Sequence, residues 1–79
     1  MNNEVIVYSK HGCSNCSTAK MFLKMRGIAF EERNIEENPD FLEEVKETGL
    51  TSMPVIKAYA EEPFSYNIQR FTEVFGDLD

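Results

Sequence analysis

The strongest constraint in this chain is a pair of cysteines, Cys13 and Cys16, set three positions apart where an apolar run gives way to a helical pattern. Val5-Ile6-Val7-Tyr8 is mostly β-branched, and Ser9-Lys10-His11-Gly12 breaks it, which reads as a buried strand ending in a loop. Beyond it Cys16, Ala19, Phe22 and Leu23 recur at helical spacing, with Lys20, Lys24 and Arg26 interleaved and Met21 and Met25 widening the apolar surface. Gly27 is a plausible stop, so a helix is predicted from about Ser14 to Arg26. The thiols therefore open a helix.

These are the only two cysteines, which is too few for the usual disulfide-stapled secreted scaffold. They would also make a weak staple. A four-residue loop contributes roughly 2 kcal/mol in the chain-entropy model, against about 4.5 for a loop closing most of a chain this size. Met1 to Tyr8 shows no basic stretch followed by a long apolar one, so no export signal is expected and a cytoplasmic location is. In that reducing setting a C-x-x-C is more often catalytic or metal-binding than structural.

Seventy-nine residues suit one small domain, expected to span 1–79, with a modest core. Six Phe and three Tyr, with many branched aliphatics, are enough to build that core and argue against disorder. Fourteen acids against eight bases leave a net charge of −6, which speaks against nucleic acid and against an anionic membrane surface as partners. No apolar run approaches the roughly 18 residues of a membrane span.

The remaining elements follow in order. A short strand is expected within Ile28–Ile35, with Ala29, Phe30 and Ile35 as its apolar members, and Glu31-Glu32-Arg33 puts it near a sheet edge. Asn38-Pro39-Asp40 reads as a helix start: cap, proline at the first position and an acid in the first turn. Phe41, Leu42 and Val45 give that helix an apolar face, and Gly49 stops it. Pro54 opens a third strand over Val55–Tyr59, Ala60–Pro63 reads as a turn, and Phe64–Tyr66 as a fourth strand. Asn67 caps a last helix whose stripe is Ile68, Phe71, Val74 and Phe75, ended by Gly76. The order β-α-β-α-β-β-α predicts an α/β fold: a right-handed parallel unit, then a hairpin, in a four-stranded mixed sheet with helices on both faces.

A thiol attacks as thiolate, and a free cysteine ionises only near pH 8.5. At a helix start the unpaired N–H groups of the first turn point toward Cys13, and Lys10 can add a positive charge three residues upstream. Cys16, one turn on, is within disulfide reach. Cys13 is thus read as the exposed attacking thiol and Cys16 as the buried resolving one. Gly12 leaves room for a partner's backbone. Two other readings stay open. Structural zinc needs four ligands, and one cysteine pair with the lone His11 supplies too few unless a dimer, also able to share an iron–sulfur cluster, is formed. An inert pair is the third.

Tyr8-Ser9-Lys10-His11-Gly12-Cys13-Ser14-Asn15-Cys16, Gly27-Ile28-Ala29-Phe30 and Thr51-Ser52-Met53-Pro54-Val55-Ile56 resemble the glutaredoxins, and most of all their NrdH-redoxin-like branch. The resemblance covers Val5 to about Phe75. It implies a thioredoxin fold in its minimal form and a cis Pro54 beside the cysteines. It implies that Met53 offers its backbone to an extended substrate, and it matches Lys10 to the family's lysine. Where glutaredoxins carry Gly-Gly for a glutathione carboxylate, this chain has Phe64-Ser65-Tyr66-Asn67; Phe64-Ser65 is similar to the aromatic-serine start of the NrdH motif, without its Gly-Phe. Ser65 and Tyr66 are accordingly expected near the substrate. The implied activity is reduction of protein disulfides with no bound cofactor or metal, by a monomer. Electrons would come from glutathione or from thioredoxin reductase and NADPH, and ribonucleotide reductase is the implied acceptor in the NrdH-like case.

The charge is also uneven. Val5 to Phe30 holds four bases and no acid, so the thiol segment carries +4 within a chain of net −6. Such a segment favours a thiolate and steers acidic partners toward it.

Overall fold

The computed structural model describes residues 5–58 and 62–75. Along them run β1 (Val5–Ser9), α1 (Ser14–Met25), β2 (Glu31–Asn34), α2 (Pro39–Thr48), β3 (Val55–Ala58), β4 (Phe64–Ser65) and α3 (Ile68–Phe75). The sheet order is β2-β1-β3-β4. β1 and β2 are parallel and β3 and β4 form an antiparallel hairpin, as the element order predicts, and β1 pairs with β3 antiparallel as well.

Side chains alternate across a strand, and here the alternation sorts two cores. Val5 and Val7 of β1 face one side with Ile56 and Ala58 of β3, where Ala19 and Leu23 of α1 and Phe71 of α3 cover them. Tyr8 and Val55 face the other side, against Val45 of α2. β1 is therefore hydrophobic on both faces, which is why its sequence is a continuous apolar run. Phe71 is the hub of the first core. Its ring meets those of Phe22, Tyr66, Phe75 and Phe64 edge-on, with centroids 4.9 to 6.0 Å apart.

The helix ends follow the local chemistry. Asn38 Oδ1 accepts from the Asp40 N–H at 2.9 Å, and Pro39 stands in the first turn. Gly49 closes α2 at φ +78°, a left-handed conformation glycine adopts without strain. Asn67 Oδ1 accepts from the Gln69 N–H at 2.8 Å and caps α3. At the other end of α1, Gly27 donates to the Lys24 carbonyl and Ile28 to that of Leu23.

Several expected contacts differ. β2 holds no apolar residue, only Glu31, Glu32, Arg33 and Asn34; Phe30 precedes it and packs on the first core, Ile35 follows it and packs on the second, and Ala29 is exposed. An edge strand needs one set of backbone partners and no apolar face, so Glu31-Glu32-Arg33 can pair with β1 and still meet solvent. Met21 and Met25 stand 61% and 71% exposed on the outside of α1. Leu42 and Ile68 are also exposed. The expected Tyr59, the Ala60-Glu61 part of the turn and the Gly76 stop lie outside the described residues.

The packing of Phe71 yields a test. Phe71→Ala should lower unfolding stability by about 3–5 kcal/mol in denaturant titration, a large part of the total for so small a fold. Met21→Ala, on the exposed face, should change it by less than about 0.5 kcal/mol.

Candidate active site

The two cysteines stand just beyond the point where β1 stops. After Ser9 the chain passes Lys10 and His11 and turns at Gly12, which has φ +70°. A Cβ there would meet nothing within 4 Å, so it is the backbone conformation and not crowding that calls for glycine. Cys13 then occupies the N-cap of α1 in extended conformation. Serine, threonine or aspartate usually caps a helix with an oxygen. Here the cap atom is sulfur: Cys13 Sγ accepts the Cys16 N–H at 3.2 Å.

The two thiols differ in setting. Cys13 is half-buried, whereas Cys16 faces the core at 2% exposure. Burial pushes the Cys16 thiol up to about 11, and its contact with Cys13 adds to the rise. The backbone N–H of Lys10 and the charge of Lys20 act in the opposite sense. Lys10 thus reaches the site partly through its main chain, in addition to the side-chain charge expected of it.

On its other flank Cys13 Sγ faces the Met53 carbonyl oxygen at 3.9 Å, and as a thiol it donates there. The Met53–Pro54 peptide is cis, as the resemblance implies. β4 and the residue after it hold this loop at two points. The Ser65 hydroxyl donates to the Ser52 carbonyl at 2.9 Å, and the Tyr66 N–H donates to the Pro54 carbonyl at 2.9 Å. Ser65 and Tyr66, expected at the substrate, are here engaged in holding the loop that carries Met53, and the Tyr66 ring lies edge-on to Phe71 in the core. The carbonyls on either side of Met53 are occupied, while its own faces the sulfur.

A cleft of about 430 Å³ opens beside the thiols, lined by Lys10, Gly12, Cys13 and Cys16 and also by Lys20 and Glu32. Met53, Pro54, Ser65 and Tyr66 do not line this cleft.

A glutaredoxin family model matches residues 5–59. The chain belongs to the glutaredoxin family. This glutaredoxin is 48% identical over 52 residues to the glutaredoxin-like protein NrdH of Lactococcus lactis subsp. lactis, covering 66% of this chain and 72% of that protein. Its fold matches the NrdH-redoxin of Escherichia coli with a TM-score of 0.73 at 26% identity, over 78% of this chain and 80% of that one. A glutaredoxin of Archaeoglobus fulgidus aligns with a TM-score of 0.76 at 26% identity, over 92% and 86%. The architecture is the thioredoxin fold, and the similarity runs to the NrdH-redoxin branch.

Some residues that shape the glutaredoxin's thiol site were not singled out from the sequence. Glu32 enters the cleft because the β1–β2 register sets it opposite Val7, on the α1 side of the sheet. There it takes an ion pair from Lys20 and a hydrogen bond from the Ser9 hydroxyl, and these hold its carboxyl below the usual carboxylate range. Lys20 could have been found from its i+4 spacing to Cys16; Glu32 and Ser9 depend on a strand register that no local pattern states. His11 lies between Glu36 and Glu37, at 3.5 and 3.6 Å. The electropositive thiol segment is therefore partly neutralised by acids that follow it in sequence. Among the described residues no helix is long and apolar enough to cross a membrane.

The raised Cys16 thiol has a consequence for pH. A group whose folded pKa lies above its unfolded value contributes stability below the unfolded value and loses it as pH rises through the folded one. The reduced protein should therefore lose stability between about 9 and about 11. Tyr8, held up at about 12 by burial and by Glu44, extends the same slope from about 10. Denaturant titrations across this range should show the alkaline loss, and Cys16→Ala should remove its lower part.

Proposed function

We propose that this glutaredoxin is a cytoplasmic thiol–disulfide oxidoreductase that reduces protein disulfides through Cys13 and Cys16. The observation that carries the reading is the asymmetric pair: an accessible capping sulfur that accepts a backbone N–H at 3.2 Å, with a buried second thiol one turn behind it. The Cys13 thiolate attacks one sulfur of the substrate disulfide, forming a mixed disulfide and releasing the first substrate thiol. Cys16 then attacks Cys13 Sγ, forming the Cys13–Cys16 disulfide and releasing the second thiol. Two electrons pass to the substrate, and the proton lost by Cys16 ends on the leaving thiol. No bound cofactor or metal takes part. Lys10 and the helix N-terminus favour the attacking thiolate, Gly12 leaves its approach open, and Met53 beside Pro54 offers backbone to an extended substrate segment.

The similarity to NrdH proteins supports thioredoxin reductase with NADPH as the electron source, ahead of glutathione, and ribonucleotide reductase as the protein reduced. The E. coli relative is itself described as having a thioredoxin-like activity profile. The protein is expected to act as a monomer.

Three measurements test the reading. Cys13→Ser should abolish disulfide reduction, and Cys16→Ser should accumulate a mixed disulfide visible by mass; full turnover by Cys13→Ser would sink the assignment. The reduction potential should fall between about −170 and −280 mV, within the range of redox-active dithiols. Oxidised protein should be reduced faster by thioredoxin reductase with NADPH than by glutathione with its reductase, and the reverse order would point to a glutathione-dependent enzyme.

A further inference from the structure

One polar cluster at the edge of the cleft has no part in the two steps above. Ser9, the last residue of β1, is 1% exposed, and its hydroxyl donates to Glu32 Oε2 at 2.8 Å. The same oxygen receives the Lys20 ammonium at 2.7 Å. Lys20 follows Cys16 by four residues, one turn along α1, so the two lie on one face of the helix. Cys16, Lys20 and Glu32 then line a single cleft with Cys13. A free lysine side chain would spread its charge through solvent. This one is fixed at 27% exposure by a carboxylate that a buried hydroxyl holds in turn.

The fixed charge matters because of what the second step demands. To attack Cys13 Sγ, Cys16 must lose its proton, and burial opposes the charged form. A cation held nearby favours it. We propose that Lys20, held by Glu32 and Ser9, is a positioning residue that favours the thiolate of Cys16 in the resolving step. This inference rests on the dithiol reading above. In the reduced protein the charge of Lys20 already acts against the burial that raises the Cys16 thiol. The bond made is Cys13–Cys16 and the bond broken joins Cys13 to the substrate sulfur. Glu32 offsets part of the Lys20 charge, so it also sets how much of that charge Cys16 feels.

The two steps can be read apart with dithiobis(nitrobenzoate), which releases one coloured thiolate when Cys13 attacks and a second when Cys16 resolves. Rapid mixing over a range of pH gives a profile for each release. Lys20→Met should slow the second release by about three- to tenfold near neutrality and displace its profile toward alkaline pH, leaving the first within about twofold. Lys20→Arg should restore the profile. Glu32→Gln keeps an oxygen for Ser9 and Lys20 but removes the opposing charge, so it should displace the second profile the other way. An unchanged second profile in Lys20→Met overturns the proposal, and so does an alkaline displacement in both Lys20→Met and Glu32→Gln. Failure of the underlying reading looks different: the wild-type protein would then give no second release, and Cys16→Ser would trap no mixed disulfide.

Discussion

The structure depends on β1 being buried on both faces. Its alternate residues anchor two separate cores, one under α1 and α3 and the other under α2. It also pairs with β2 on one side and β3 on the other, so it fixes the register of the sheet's middle. Because the strand cannot shift by one residue without exchanging its two apolar sets, the point at which it ends is also fixed. That end delivers the loop to Gly12 and sets Cys13 at the first turn of α1. The position of the Cys13 sulfur is thus a product of hydrophobic packing some residues away.

The second support comes from the opposite end of the chain. β4 has only two residues, yet Ser65 and Tyr66 bind the carbonyls of Ser52 and Pro54 on either side of Met53. The Tyr66 ring joins the cluster around Phe71. The loop facing Cys13 is thereby tied to the same core that β1 and α1 share. Thiol helix and Met53 loop are held against one another by a common hydrophobic cluster, and a loosened α3 would reach the site through Tyr66.

Much of this was legible in the sequence because the signals were local. The apolar run of β1, the Asn38-Pro39 start, the Gly49 stop and the Asn67 cap each depend on a few adjacent residues. The cysteine pair could be placed at a helix start for the same reason. What was not legible depends on distance. An edge strand within 28–35 is legible, but its span Glu31–Asn34 is not, since those residues carry no apolar pattern and pair by their neighbour's backbone. The meeting of Ser9, Lys20 and Glu32 needs β1, α1 and β2 assembled. The hydrogen bonds from Ser65 and Tyr66 to the carbonyls on either side of Met53 likewise need the end of the chain folded against that loop. Met21, Met25, Leu42 and Ile68 continued apolar patterns that the packed faces do not use.

The charged margin at β2 has a bearing on how copies of this molecule coexist. A sheet invites assembly wherever it leaves a long, flat, apolar strand with unpaired backbone groups. One margin here is a four-residue strand of Glu, Glu, Arg and Asn, in which Arg33 is already bound to Glu31 and Glu44. The other is the two-residue β4, too short to serve as a template. Among the described residues, then, neither rim is the long apolar edge that favours edge-to-edge assembly of copies.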